Sequence, residues 1–213
     1  MQTNDARRWE AIDTFYLPQR APLIVQTQDA LYDAAADHLK RETPITYLEY
    51  GVASATSMRA MAARFGAPTS SFIGFDSFEG LPRPWLMHER GAFSTGGVLP
   101  YFGDPRVEFV RGWFQNTVPD RLKRLGQPAN TTLVHYDCDL YSSTLFLLST
   151  MWHYIPAYYF LMDDFIHEDA TALYDFPRSY PVEIQFFAER SGGGGHPNQV
   201  FGHIRRVPFV LPD

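Results

Sequence analysis

Apolar positions in this chain gather into short runs that close on an acid. The runs are Ile45-Thr46-Tyr47-Leu48-Glu49, Phe72-Ile73-Gly74-Phe75-Asp76, Leu133-Val134-His135-Tyr136-Asp137 and Tyr158-Tyr159-Phe160-Leu161-Met162-Asp163-Asp164. A run of about five residues with neither helical nor alternating polarity predicts a strand buried on both faces. Val107–Val110 predicts one more. Between these runs the apolar spacing turns helical. Residues 27–42 carry Leu31, Ala34, Ala35, His38 and Leu39 on one face, with Thr27 or Asp29 as cap and Pro44 just past the end. Ser54–Phe65 groups Met58, Met61, Ala62 and Phe65, and Gly66 suits its C-terminal cap. Pro119–Leu125 predicts a short helix, Ser142–Ile155 a longer one and Glu168–Asp175 another.

Strands separated by helices predict βαβ units. The expected fold is therefore α/β, with a mostly parallel central sheet and helices on both faces, in one domain over 1–213. Residues 44–165 form its core and 1–43 a helical lid or cap, in which Trp9, Ile12, Phe15, Tyr16 and Leu17 predict a short amphipathic helix followed by an extended stretch. Residues 77–105 read as a loop, and loops that long are often lids or binding loops. The 166–213 part is less patterned. Val182–Glu189 fits helix or strand, Val200–Arg205 reads as a strand antiparallel at the sheet's edge, and Ser191-Gly192-Gly193-Gly194-Gly195-His196-Pro197 as a surface turn.

In an open parallel sheet, ligands bind outside the carboxyl ends of the strands. Acidic tips there would cluster carboxylates around one crevice, at an electrostatic cost. A divalent cation, ribose hydroxyls or a sulfonium would offset that cost. Composition narrows the partners. The chain has 213 residues, 45% hydrophobic and 20% charged, with net charge −6. It has no basic block, so a nucleic-acid backbone is not an expected partner. No apolar stretch approaches the ~20 residues of a membrane span. No signal-peptide core follows the start, and the single cysteine, Cys138, fits a reducing cytoplasm.

Glu49-Tyr50-Gly51-Val52-Ala53-Ser54-Ala55-Thr56 has the form of a first βα turn in a nucleotide-binding fold. Gly51 lets the backbone approach a ligand, and the helix start favours a carboxylate. The dinucleotide pattern G-x-G-x-x-G keeps only its first glycine, which argues against a pyrophosphate cofactor such as NAD. Asp76, 27 residues beyond Glu49, is placed to accept hydrogen bonds from ribose.

Four further stretches carry a resemblance. They are Gly74-Phe75-Asp76-Ser77-Phe78-Glu79-Gly80-Leu81-Pro82, Arg111-Gly112-Trp113-Phe114-Gln115-Asn116-Thr117-Val118-Pro119, His135-Tyr136-Asp137-Cys138-Asp139-Leu140-Tyr141-Ser142-Ser143-Thr144 and Met162-Asp163-Asp164-Phe165. In this order the chain resembles the macrocin and mycinamicin O-methyltransferase family. The resemblance implies a Rossmann-like class I methyltransferase fold, S-adenosylmethionine, a divalent metal such as Mg²⁺, and methylation of sugar hydroxyls on natural products. It assigns the metal to Asp137, Asp163 and Asp164. Glu49, Gly51, Asp76 and Ser77 are then the cofactor residues, with Trp113 near the adenine. Asp137 is the first choice for the base, with His167 and Asp139 as alternatives. The chain departs from the family at Ala55 and Thr56, where two glycines are usual, and in its C-terminal part. A catechol or phenol acceptor, a non-catalytic S-adenosylmethionine-binding module and a nucleotide-dependent oxidoreductase are the competing readings. A homodimer is compatible with the resemblance and not compelled by the sequence.

Overall fold

The structure is a computed structural model that describes residues 2–192 and 196–208. Gly193, Gly194 and Gly195 of the expected surface turn lie outside the described residues. The strands are β1 (Leu23–Val25), β2 (Ile45–Tyr50), β3 (Ser71–Asp76), β4 (Val107–Arg111), β5 (Thr131–Tyr136), β6 (Ala157–Met162), β7 (Val182–Ser191) and β8 (Pro197–Arg206). They form one sheet in the order β1-β7-β8-β6-β5-β2-β3-β4. All pairings are parallel except those of β8 with β6 and β7. The helices are α1 (Gln2–Glu10), α2 (Gln28–Leu39), α3 (Thr56–Arg64), α4 (Phe114–Leu125), α5 (Tyr141–Tyr154) and α6 (Glu168–Asp175).

Successive strand residues point to opposite faces, so a run with no polar side needs cover on both. Tyr47, Phe72 and Leu133 pack with Leu31 and Tyr32 of α2 and Met58 and Met61 of α3. Leu48, Ile73 and Val134 pack with Val118 of α4 and Leu147, Leu148 and Met151 of α5. The expected two-faced sheet is therefore present. None of the helices among the described residues is long and apolar enough to cross a membrane.

Four local expectations change. The stretch before residue 27 contains a strand, β1, that the pattern did not signal. Leu23 and Ile24 are about half exposed at the sheet's edge, so burial leaves no period there. β8 is not an edge strand: it runs between β6 and β7, and β1 takes the edge. α4 begins at Phe114, five residues before Pro119, which lies inside the helix and leaves Gln115 O without the bond its missing N–H would have given. Gly66 does not cap α3. That helix ends on Phe65 in an extended conformation. The Arg106 guanidinium takes its last carbonyls instead, donating to the oxygens of Ala62 and Phe65 and to Ala67 beyond. Arg106 also pairs with Asp104. Arg106→Ala is expected to lower stability by about 2–3 kcal/mol, because several charge-assisted bonds go at once. A urea midpoint equal to that of wild type would show the carbonyls are satisfied without it.

The N-terminal segment is fixed into the body. Ala11, Ile12 and Tyr16, on one π-helical turn, are buried in the core. Tyr16 and Arg20 both donate to the carboxylate of Glu189, which is fully buried on β7.

Candidate active site

β2 is flanked by β3 on one side and β5 on the other, so the chain reverses its direction of travel across the sheet at the β2–β5 boundary. That boundary is where an open α/β sheet leaves a crevice. The strand tips there are stitched by backbone bonds: Asp137 N donates to Tyr50 O at 2.9 Å, Gly51 N to Phe75 O at 3.0 Å and Asp163 N to Tyr136 O at 2.9 Å. A cavity of about 730 Å³ opens above them. The turn after β2 supplies Gly51, Val52 and Ala53 to its wall, and the end of β3 supplies Asp76 and Ser77. Gly112, Trp113, Phe114 and Gln115 follow β4, while Asp137 to Leu140 follow β5 and Asp164 follows β6.

Asp76 ties the first two turns together. Its Oδ2 accepts from Val52 N and Ala53 N, each at 2.8 Å, and its Oδ1 from Phe78 N at 2.7 Å. An ionised carboxylate offers about four acceptor positions. Asp76 thus still has room for a hydroxyl donor. Ser77 accepts from Glu79 N.

Three further acids line the same cavity. Oxygens of Asp137, Asp139 and Asp164 lie within 4.8 Å of one another. Burial raises the Asp137 carboxyl well above its ordinary range, and Asp163 and Asp139 raise it further. Burial and then Asp164 push Asp139 up to about 7. Burial and then Asp163 raise Asp164. Asp139 and Asp164 both hold left-handed backbone, at φ 63° and 46°. Non-glycine residues in that region concentrate at functional sites, where surrounding structure holds the strain. Hard carboxylate oxygens in this density suit Mg²⁺ or another hard divalent cation, and a cation would relieve the repulsion that adds to burial in raising all three.

Glu49 and Asp163 do not line this cavity. They sit behind it in a buried chain of hydrogen bonds. Ser57 donates to Glu49 Oε1 at 2.6 Å and Tyr47 to Glu49 Oε2 at 2.8 Å. Tyr47 Oη is also 2.8 Å from His135 Nδ1, and His135 Nε2 is 2.9 Å from Asp163 Oδ1. Gln28 donates to Asp163 Oδ2 at 3.2 Å. Burial lowers the His135 pKa, but Asp163 and Glu49 outweigh it and the pKa is raised. His135, Asp137 and Asp163 form a second close group, so Asp137 connects the buried chain to the open rim. Burial raises Glu49.

His167 lies outside the cavity lining, and its Nδ1 is buried without a partner. Burial lowers its pKa. Among the described residues none before Gly51 lines the cavity. The 77–105 loop does, through Leu81, Pro82, Trp85, Leu86, His88 and Phe93. These aromatic positions carried no period that singled them out. His135 did leave a signal, a histidine within an apolar strand.

No protein-family model matches the chain, and no curated protein matches it. Solved structures do. Over 84% of this chain and 78% of the other, it is similar to the O-methyltransferase NovP, at 17% identity and a TM-score of 0.53. Over 94% and 91%, it is similar to the O-methyltransferase from Bacillus cereus in complex with SAH, at 12% identity and a TM-score of 0.52. With its single switch point, two-sided helical cover and crevice above β2 and β5, the chain has the Rossmann-like fold of class I methyltransferases.

Proposed function

We propose that the protein is an S-adenosylmethionine-dependent O-methyltransferase that uses a divalent cation and methylates a sugar hydroxyl of a small-molecule acceptor. The observation that carries this reading is the shared cavity: Asp76, with acceptor positions left over, and Asp137, Asp139 and Asp164, with oxygens within 4.8 Å of one another, line the same space, which supports a ribose at the first and a cation at the others. Its volume of about 730 Å³ falls within the range of ligand sites and leaves room for an acceptor beside the donor. The names of the similar structures and the four sequence stretches point the same way.

The geometry supports a role for each residue. Gly51, at φ 92°, keeps the first turn free of a side chain where the donor's amino-acid end would lie. Asp76 would receive ribose hydroxyls on its remaining lone pairs, and Trp113, 38% exposed at the rim, would cover the adenine. The donor supplies an electrophilic methyl on a sulfonium. A divalent cation supplies acidification of the acceptor hydroxyl, whose own pKa lies far above neutral. Asp137, Asp139 and Asp164 are the side chains that would hold it. Asp163 keeps lone pairs beyond its bonds to His135 and Gln28, and would complete the set that the resemblance implies. Asp137 would take the hydroxyl proton, with Asp139 next to it as the alternative. The remaining contribution is alignment of oxygen, methyl and sulfur.

Calorimetry separates the cofactor classes: S-adenosylmethionine is expected to bind and NAD not. Methyl transfer to a panel of glycosides and catechols is expected with the glycosides, and is expected to stop on EDTA treatment and return with Mg²⁺. Turnover that survives full chelation refutes the cation's role. Tight NAD binding without S-adenosylmethionine binding refutes the enzyme class.

A further inference from the structure

The 77–105 loop forms one wall of the cavity, and much of its bonding is internal. Leu81 N donates to Ala92 O at 3.0 Å, Gly91 N to Leu81 O at 2.8 Å, and Trp85 and His88 exchange backbone bonds. The stretch 81–90 is therefore a compact tip. It leaves and rejoins the loop at Gly80 and Gly91, which have left-handed φ of 81° and 85°. A Cβ on Gly80 would stand 2.5 Å from Gly91 O, so the two glycines lie together at the base of the tip. Small residues of this kind can absorb a hinge motion.

The tip meets the body where β6 passes into α6 and at Leu140, just before α5. Arg83 donates to Glu168 Oε2 at 2.6 Å, and the Trp85 ring stands edge-on to His167, centroids 5.7 Å apart. Two features set this seam apart. Trp85 is only 6% exposed, yet its Nε1–H is buried without a protein partner, and so is His167 Nδ1. Closing the seam therefore gains no protein hydrogen bond at either nitrogen. Parting the seam would hand both to water. Closure therefore leans on the small apolar cluster of Leu81, Trp85 and Leu140 and on the Arg83–Glu168 pair. Glu168 Oε2 also accepts from Tyr141 N at 2.7 Å, directly after the turn that carries Asp137 and Asp139. One carboxylate thus joins the 81–90 tip to the acidic rim.

We propose that residues 81–90 are a gate over the cavity, and that Arg83 and Glu168 are the positioning residues that latch it shut. The latch rests on the geometry alone. Its consequence for ligand release rests on the functional reading above, so the two are tested separately. The protein has four tryptophans, and the indole N–H signal of Trp85 is identified as the one absent from Trp85→Phe. In the ligand-free protein, solvent exchange of that N–H is expected to quicken about three- to fivefold in Arg83→Ala and in Glu168→Gln, the size of a partly exposed ion pair. Arg83→Lys is expected to restore the slow rate. High salt is expected to mimic the loss in wild type, because exposed pairs are screened. With SAH as the probe, stopped-flow release is expected to quicken by a similar factor in Arg83→Ala and to be restored in Arg83→Lys. Exchange unchanged in both variants overturns the latch. Faster exchange with unchanged SAH release overturns the gate. If wild type binds no SAH, the proposed enzyme falls, while the exchange experiment still decides the latch.

Discussion

Asp137→Ala is expected to cost about 10²–10⁴-fold in methyl transfer, the range over which a positioned acid–base group contributes. Asp137 belongs to both close acidic groups, one with Asp139 and Asp164 at the rim and one with His135 and Asp163 behind it. Among the described residues no other side chain does. Its removal takes a ligand from the proposed cation site and the first-choice proton acceptor in one step. The stability effect should have the opposite character. Burial and neighbouring acids raise the Asp137 carboxyl, so its charge is a strain on the folded state rather than a support. The variant is thus expected to melt at or above the wild-type temperature while turnover is lost. SAH affinity by calorimetry should stay near wild type, because Asp76 and the first turn are untouched. Wild-type turnover in Asp137→Ala removes this residue from the mechanism. Lost turnover with a lowered melting temperature and lost SAH binding would mean that the residue holds the fold instead.

The sequence carries the sheet because burial on both faces writes itself into composition. Leu48 and Tyr47 face opposite helical layers, so neither can be polar without a partner. The same logic fails at Leu23–Val25, a three-residue edge strand under no such demand. It fails again at β8, where the strand is legible and its neighbours are not, since pairing between β6 and β7 is a long-range choice. At the site, chain position told which residues reach the crevice only where the backbone leaves the strand. Gly51, Asp76, Ser77, Trp113, Asp137, Asp139 and Asp164 come together at the cavity. Glu49 is still within β2, so its side chain is committed to one face of the sheet and meets Ser57 and Tyr47 instead. Asp163 and Asp164 are adjacent, and adjacent residues at a strand's end diverge: one meets His135, the other the cavity. A linear pattern of acids does not encode that divergence. The partners that decide it, His135 and Gln28, are 28 and 135 residues from Asp163.

Gly51→Ala is expected to be the most damaging single substitution for the fold at this site. Its φ of 92° lies where side chains are strained, and the space beside it is already filled. An added Cβ would sit 1.7 Å from the carbonyl oxygen of Asp137 and 2.7 Å from its carbon. Both are backbone atoms of the neighbouring strand's tip, which cannot swing aside as a side chain could. The loss is expected to exceed about 4 kcal/mol, in the tail reserved for overpacking and forbidden backbone. In a chain of this size that is roughly a 10–15 °C fall in melting temperature. Gly96→Ala is the control. Gly96 also has a left-handed φ, of 66°, but nothing stands within 4 Å of its added Cβ. It should lose only the backbone term, about 1–2 kcal/mol. The difference between the two variants isolates the contact between the turn that would cradle the donor and the strand that carries Asp137. Equal losses would mean that this contact can relax, and that the close approach of Gly51 to Asp137 does not fix the distance between the two halves of the cavity. A large difference, with SAH binding and turnover both lost in Gly51→Ala, would tie the first glycine of the turn to the acid that lies 86 positions further along the chain.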